Sequence, residues 1–146
     1  MIGLLQRVSR ASVSISGRIS AHIGPGLMVL VAIEHGDQTA QARRLLTRLL
    51  GYRVFPDAQG RMNLSLADTQ GELLLVPQFT LAADTRKGMR ASFTKAARPE
   101  VGKRLFNYLC EQARDSHNGV QTGAFGADMQ VSLINDGPVT FWLDAR

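Results

Sequence analysis

The chain has 146 residues, of which 45% are hydrophobic and 20% charged, with a net charge of +5 at neutral pH. This length and apolar share fit one domain over residues 1–146 with a substantial core, and exclude a disordered or low-complexity chain. No apolar run approaches the ~20 residues of a membrane span, and the first residues lack the pattern of a secretory leader, so a cytoplasmic location is expected.

The first clear period-2 pattern is ASVSIS, where Ala11, Val13 and Ile15 alternate with Ser12, Ser14 and Ser16, which predicts a strand with one buried face. Gly17 turns the chain, and RISAHI can return as a hairpin partner. After Gly24-Pro25-Gly26 the run LMVLVAI is apolar throughout, as suits a central strand covered on both faces. From Asp37 the period becomes helical. Ala42, Leu45, Leu46, Leu49 and Leu50 form one stripe, Arg43, Arg44 and Arg48 the other face, and Gly51 a C-terminal stop.

A short strand YRVF leads to the turn PDAQG and the strand MNLSL, and ELLLVP is a further buried strand. Pro99 opens a second helix, with Val101, Leu105, Tyr108, Leu109 and Ala113 on one stripe and an end near Ser116. Cys110 falls on this helix as a buried, inert thiol. The tail gives two strand runs, DMQVSLI and PVTFWL, separated by a Gly-Pro pair that is either a turn or a rigid piece of backbone aimed at a ligand. Together these elements predict an α+β domain with a mostly antiparallel or mixed, or barrel-like, sheet of about seven strands and two main helices.

The usual catalytic sets are missing. There is no CxxC, no HExxH and no Walker-type loop, so neither a metal nor a cofactor is expected. His22, His35 and His117 read as surface or capping residues, and no Ser/His/Asp or Cys/His set can be assembled. An enzyme built this way works by positioning and backbone donors on a bond already activated, such as the ester between an amino acid and a tRNA ribose. The charge distribution agrees. Between Arg86 and Arg104 lie Arg86, Lys87, Arg90, Lys95, Arg98, Lys103 and Arg104 against Glu100 alone, which reads either as a solvated surface or as a contact to a phosphate backbone.

Pro77-Gln78-Phe79-Thr80-Leu81 followed by AADTRKGMRASF, and Asn135-Asp136-Gly137-Pro138-Val139-Thr140, form a pair of motifs that resembles the signature of the D-aminoacyl-tRNA deacylases. The likeness extends through Arg7-Val8, IGPGLMVLVAI, RVFPDAQGRMNLSL and TGAFGADMQVSL. It implies hydrolysis of the ester joining a D-amino acid to the 3′ end of tRNA, and of glycine mischarged on alanine tRNA. It also implies a homodimer in which Gly137-Pro138, in the cis form, enters the partner's active site and excludes L side chains. Arg7 and Asn135 would support that loop. The N–H groups of Phe79 and Thr80 would receive the scissile carbonyl. Thr80 would be a nucleophile, or the ribose hydroxyl would assist instead. Gln78 would bind the terminal nucleotide or hold the loop, and Phe125 would stack on adenine or serve as core. The family pattern has serine where this chain has Pro77, which removes a hydroxyl and an N–H beside the first motif. The competing functions are a non-enzymatic RNA-binding module and an editing domain for mischarged L-amino acids.

Overall fold

The computed structural model describes residues 1–146. Its sheet is organised by the first strand, β1 (Ile2–Ile15), which begins nine residues earlier than the serine alternation indicates. The hairpin partner is β2 (Arg18–Ile23), reached through Ser16 and Gly17, both at positive φ as a tight two-residue turn requires. Next comes β3 (Gly26–Ala32), antiparallel to the first half of β1. The helix α1 (Thr39–Gly51) follows, and then a small separate hairpin of β4 (Phe55–Pro56) and β5 (Met62–Leu64).

A third helix, α2 (Leu66–Thr69), stands where the sequence reading carried a strand through Ser65 and Leu66. Ser65 caps it, and Asp68 returns a bond to the Ser65 N–H, a reciprocal cap that stops strand pairing at once. The remaining elements are β6 (Glu72–Pro77), a short 3-10 turn (Phe79–Ala82), α3 (Pro99–Ser116), β7 (Val120–Thr122) and β8 (Gln130–Asp144). Gly51 ends α1 without a left-handed turn, since the cap residue Tyr52 is extended.

Strand order is β2-β1-β3-β6-β7, with β8 along the other side of β1. β3, β6 and β7 are mutually parallel, while β1 runs antiparallel to β2, β3 and β8. The apolar runs in β3 and β6 follow from burial on both faces. Leu73 and Leu75 of β6 join Leu27 and Val29 against Leu45, Leu49, Leu105 and Leu109 of α1 and α3. Leu74 and Val76 point the other way, to Val8, Val13 and Met28, where Met129, Val131 and Leu133 also pack. That second cluster curls the sheet into a nearly closed barrel. Gly26 must be glycine, since a Cβ there would lie 1.9 Å from the Glu72 carbonyl oxygen. The α-ammonium of Met1 is buried and pairs with Asp37 at 2.7 Å and Glu34 at 3.3 Å.

No helix is long and apolar enough to cross a membrane.

Candidate active site

The barrel stays open at one seam, between the C-terminal end of β6 and the start of β8. β7 pairs with β6 only as far as Leu75 and Thr122, and Pro77, two residues on, has no N–H with which to continue the ladder. On the other side Gln78 still donates to the Val31 carbonyl at 2.7 Å, so the end of β6 stays fixed to β3. The seam is a cleft of about 340 Å³ at the ends of parallel strands, a usual place for a ligand in sheets of this kind.

The cleft brings together three of the residues that the sequence singled out: Gln78 and Phe79 from the first motif, and Phe125 from the loop before β8. Phe79 is 57% exposed and packs against Phe93 at a tilt, with ring centroids 5.0 Å apart. Phe125 is held from behind, 6.3 Å from the Phe106 ring and in contact distance of Gly102 on α3. Its ring therefore joins the core and the cleft at once. Pro77 also lines the cleft.

Phe79 and Thr80 open the 3-10 turn, and their N–H groups donate to no acceptor in the chain. The Thr80 hydroxyl accepts a hydrogen bond from the Gln78 side-chain amide and meets neither a histidine nor a carboxylate. The imidazoles are elsewhere. His22 borders a shallow groove across β1, β2 and β8, His35 lies beside Lys95, and His117 is buried against the Gly71 carbonyl at 2.6 Å. The acid that lines the cleft is Asp128, which lies in the TGAFGADMQVSL stretch but has no role predicted from sequence. No group of three or more His, Cys, Asp or Glu side chains is placed to hold a metal ion.

Gly137 and Pro138 do not separate two strands. They sit in a bulge within the continuous strand β8. Gln6 pairs with Thr140 and Val8 with Asn135, so Arg7 alone on β1 faces the stretch Asp136 to Val139. The Gly137-Pro138 peptide bond is cis. Two side chains shape the bulge. Arg7, with its side chain only 13% exposed, donates from Nε to the Asp136 carbonyl at 2.9 Å and from Nη1 to the Val54 carbonyl at 2.6 Å. Asn135 accepts from the Val139 N–H at 2.8 Å and donates to the Thr140 hydroxyl at 2.7 Å. Read alone, Arg7 looks like an exposed cation on an edge strand; β1 is instead central, and the guanidinium reaches backbone across the sheet. Val54 gave no hint in sequence, because it contributes only its carbonyl. The bulge is exposed and forms no part of the lining of its own cleft.

Comparison with known proteins agrees with this arrangement. A family model described as D-Tyr-tRNA(Tyr) deacylase matches residues 4–144. The chain is 63% identical over 144 residues to a D-aminoacyl-tRNA deacylase of Thioalkalivibrio sulfidiphilus, covering 99% of this chain and 97% of the relative. It is 62% identical over 146 residues to a D-aminoacyl-tRNA deacylase of Alkalilimnicola ehrlichii, covering 100% and 97%. Among solved structures it is similar to a c-Myc DNA Unwinding Element Binding Protein, with a TM-score of 0.94, 37% identity and 99% and 98% of the two chains covered. A probable eukaryotic D-amino acid tRNA deacylase shares the fold at a TM-score of 0.84 and 18% identity, covering 97% of each chain. The chain therefore belongs to the D-Tyr-tRNA(Tyr) deacylase family.

Proposed function

We propose that this protein is a hydrolase that cleaves the ester between a D-amino acid and the 3′ end of tRNA in the cytoplasm, releasing free tRNA and the D-amino acid. The observation that carries this reading is the pairing of an open cleft, rich in aromatic and backbone groups, with an externally presented Gly137-Pro138 bulge, in a chain of this family. The terminal adenosine stacks on Phe79 and Phe125, with Gln78 beside it. The free N–H groups of Phe79 and Thr80 receive the carbonyl oxygen as it gains charge. Water adds to the carbonyl carbon, the C–O bond to the ribose breaks, and a proton reaches the ribose oxygen through the neighbouring 2′-hydroxyl. Thr80 orients rather than attacks, because its hydroxyl is engaged by Gln78 and no base adjoins it.

Chirality is read by a second copy of the chain. In a homodimer the partner supplies Gly137-Pro138, a reading supported by its absence from the lining of its own cleft. Its carbonyls take the substrate's amino group and leave no room for an L side chain, while glycine, having none, passes. A braced backbone is a suitable filter, since an arginine and an asparagine fix its shape. To test this, purified protein is incubated separately with D-tyrosyl-tRNA, L-tyrosyl-tRNA and glycine charged on alanine tRNA. The first and third lose their amino acid and the second keeps it, with no change on adding a chelator. Equal cleavage of both tyrosyl forms would refute the filter, and cleavage of none would refute the activity.

A further inference from the structure

We propose that the exposed basic segment from Lys87 to Lys103 is the track on which the RNA phosphate backbone lies as it leaves the cleft. This rests on the deacylase reading for the identity of the RNA. The segment meets the aromatic residues of the cleft at two points. Phe93, in its middle, packs at a tilt on Phe79 with centroids 5.0 Å apart, and Gly102, near its end, lies close against Phe125, a Cβ there falling 3.2 Å from the Phe125 ring. A nucleotide placed against Phe79 and Phe125 therefore has this segment packed directly behind both rings.

The charges on the segment are free to bind. Arg86 is tied to Asp84 by two side-chain hydrogen bonds, of 2.9 and 2.5 Å, which hold that carboxyl well below its ordinary range. By contrast Lys87, Arg90, Lys95, Arg98 and Lys103 are all exposed and have no carboxylate or side-chain hydrogen-bond partner. Unpaired cations in a row are poorly explained by stability, because surface charge that meets no opposite charge only repels itself. They are well explained by a polyanion that runs past them. The segment holds only one aromatic, Phe93, already packed on Phe79, so it suits phosphates rather than stacked bases.

The test compares the wild type with a variant carrying Lys87→Gln, Arg90→Gln, Arg98→Gln and Lys103→Gln. A control of equal net charge carries Arg10→Gln, Arg18→Gln, Arg44→Gln and Arg61→Gln, all on other elements. Binding of uncharged tRNA is measured over a salt series, and deacylation is followed on D-tyrosyl-tRNA and on 3′-D-tyrosyl-adenosine. In the segment variant the slope of log affinity against log salt becomes shallower by about three. KM for D-tyrosyl-tRNA rises about tenfold or more with kcat retained, as loss of binding common to ground and transition states requires. The small ester is cleaved as before, and the control keeps the wild-type slope. The track is refuted if the segment variant keeps the wild-type slope and KM, if the control loses as much, or if the small ester is equally affected. If the wild type cleaves no D-aminoacyl ester but loses its salt-dependent tRNA binding only in the segment variant, the deacylase reading fails and the track stands.

Discussion

Replacing Gly137 by alanine perturbs the proposed filter with a single methyl group. In the present geometry that Cβ would lie 2.6 Å from Val139 Cγ2, 3.0 Å from the Val139 nitrogen and 3.3 Å from Arg7 Nη2. Ordinary carbon contacts lie at about 3.5–4.0 Å, so something must move by roughly 1 Å. Val139 is 7% exposed and belongs to the main core, and turning it off its rotamer costs about 1 kcal/mol. Gly137 also has φ +143, a conformation that disfavours L side chains by about 1–3 kcal/mol. The sum of about 2–4 kcal/mol is below the 5–15 kcal/mol of a typical domain, so the variant folds with Tm lowered by roughly 10 °C. The strain is relieved by displacing the bulge and its Arg7 brace. Cleavage of D-tyrosyl-tRNA is then expected to fall at least about tenfold, equivalent to ~1.4 kcal/mol in the barrier. Initial deacylation rates and circular dichroism are measured together, with Gly60→Ala as control, since Gly60 has φ +76 but open space around it. A Gly137→Ala protein that cleaves the D form within twofold of wild type would refute the role given to the bulge.

Thr80→Ala should lower kcat/KM for D-tyrosyl-tRNA by less than about tenfold, because an orienting hydroxyl is lost but no nucleophile; complete inactivation with a preserved fold would show the threonine attacks. Asp37→Asn leaves the buried Met1 ammonium without its main counter-charge and is expected to destabilise the protein by about 3 kcal/mol, read as a fall in denaturation midpoint. Burial pushes the Cys110 thiol up from 9.0 to about 12, so a thiol reagent at pH 8 should label it only after unfolding. The sign follows from the same shift: the fold keeps the thiol neutral while the unfolded chain ionises it, so this residue's contribution to stability is intact below pH 9 and is lost as pH rises toward 12.

Much of this molecule is legible in local pattern. The stripes of α1 and α3 and the two-sided burial of β3 and β6 follow from hydrophobic period and run composition, and Pro99 marks the start of α3. What eludes such reading depends on pairing across the whole chain. Arg7 faces the stretch around Gly137 only because β1 and β8 align, 129 positions apart in sequence for its bond to Asp136. No local signal converts a Gly-Pro pair into a bulge rather than a turn. The length of β1 is hidden for a related reason: the polar pair Gln6-Arg7 interrupts its apolar alternation, and Arg7 serves the bulge instead of the core. The short helix α2 was accessible, since Ser65 and Asp68 have the spacing of a reciprocal cap. The cleft was accessible only in part. Gln78 and Phe79 belong to the first motif, whereas nothing local gives Asp128 a role in the lining, and Phe125 shows its double duty only once α3 is packed behind it.

The shared site is tested most directly with two weak variants in one dimer. One subunit carries Gly137→Ala, which damages the filter it would lend; the other carries Phe79→Ala and Phe125→Ala, which damage its own cleft. Co-expressed with different tags and purified through both, the mixed dimer keeps one sound cleft facing one sound bulge, so D-tyrosyl-tRNA cleavage should return to about half the wild-type rate per dimer while each parent stays low. A mixed dimer no more active than the mean of its parents would contradict a site completed by the partner subunit.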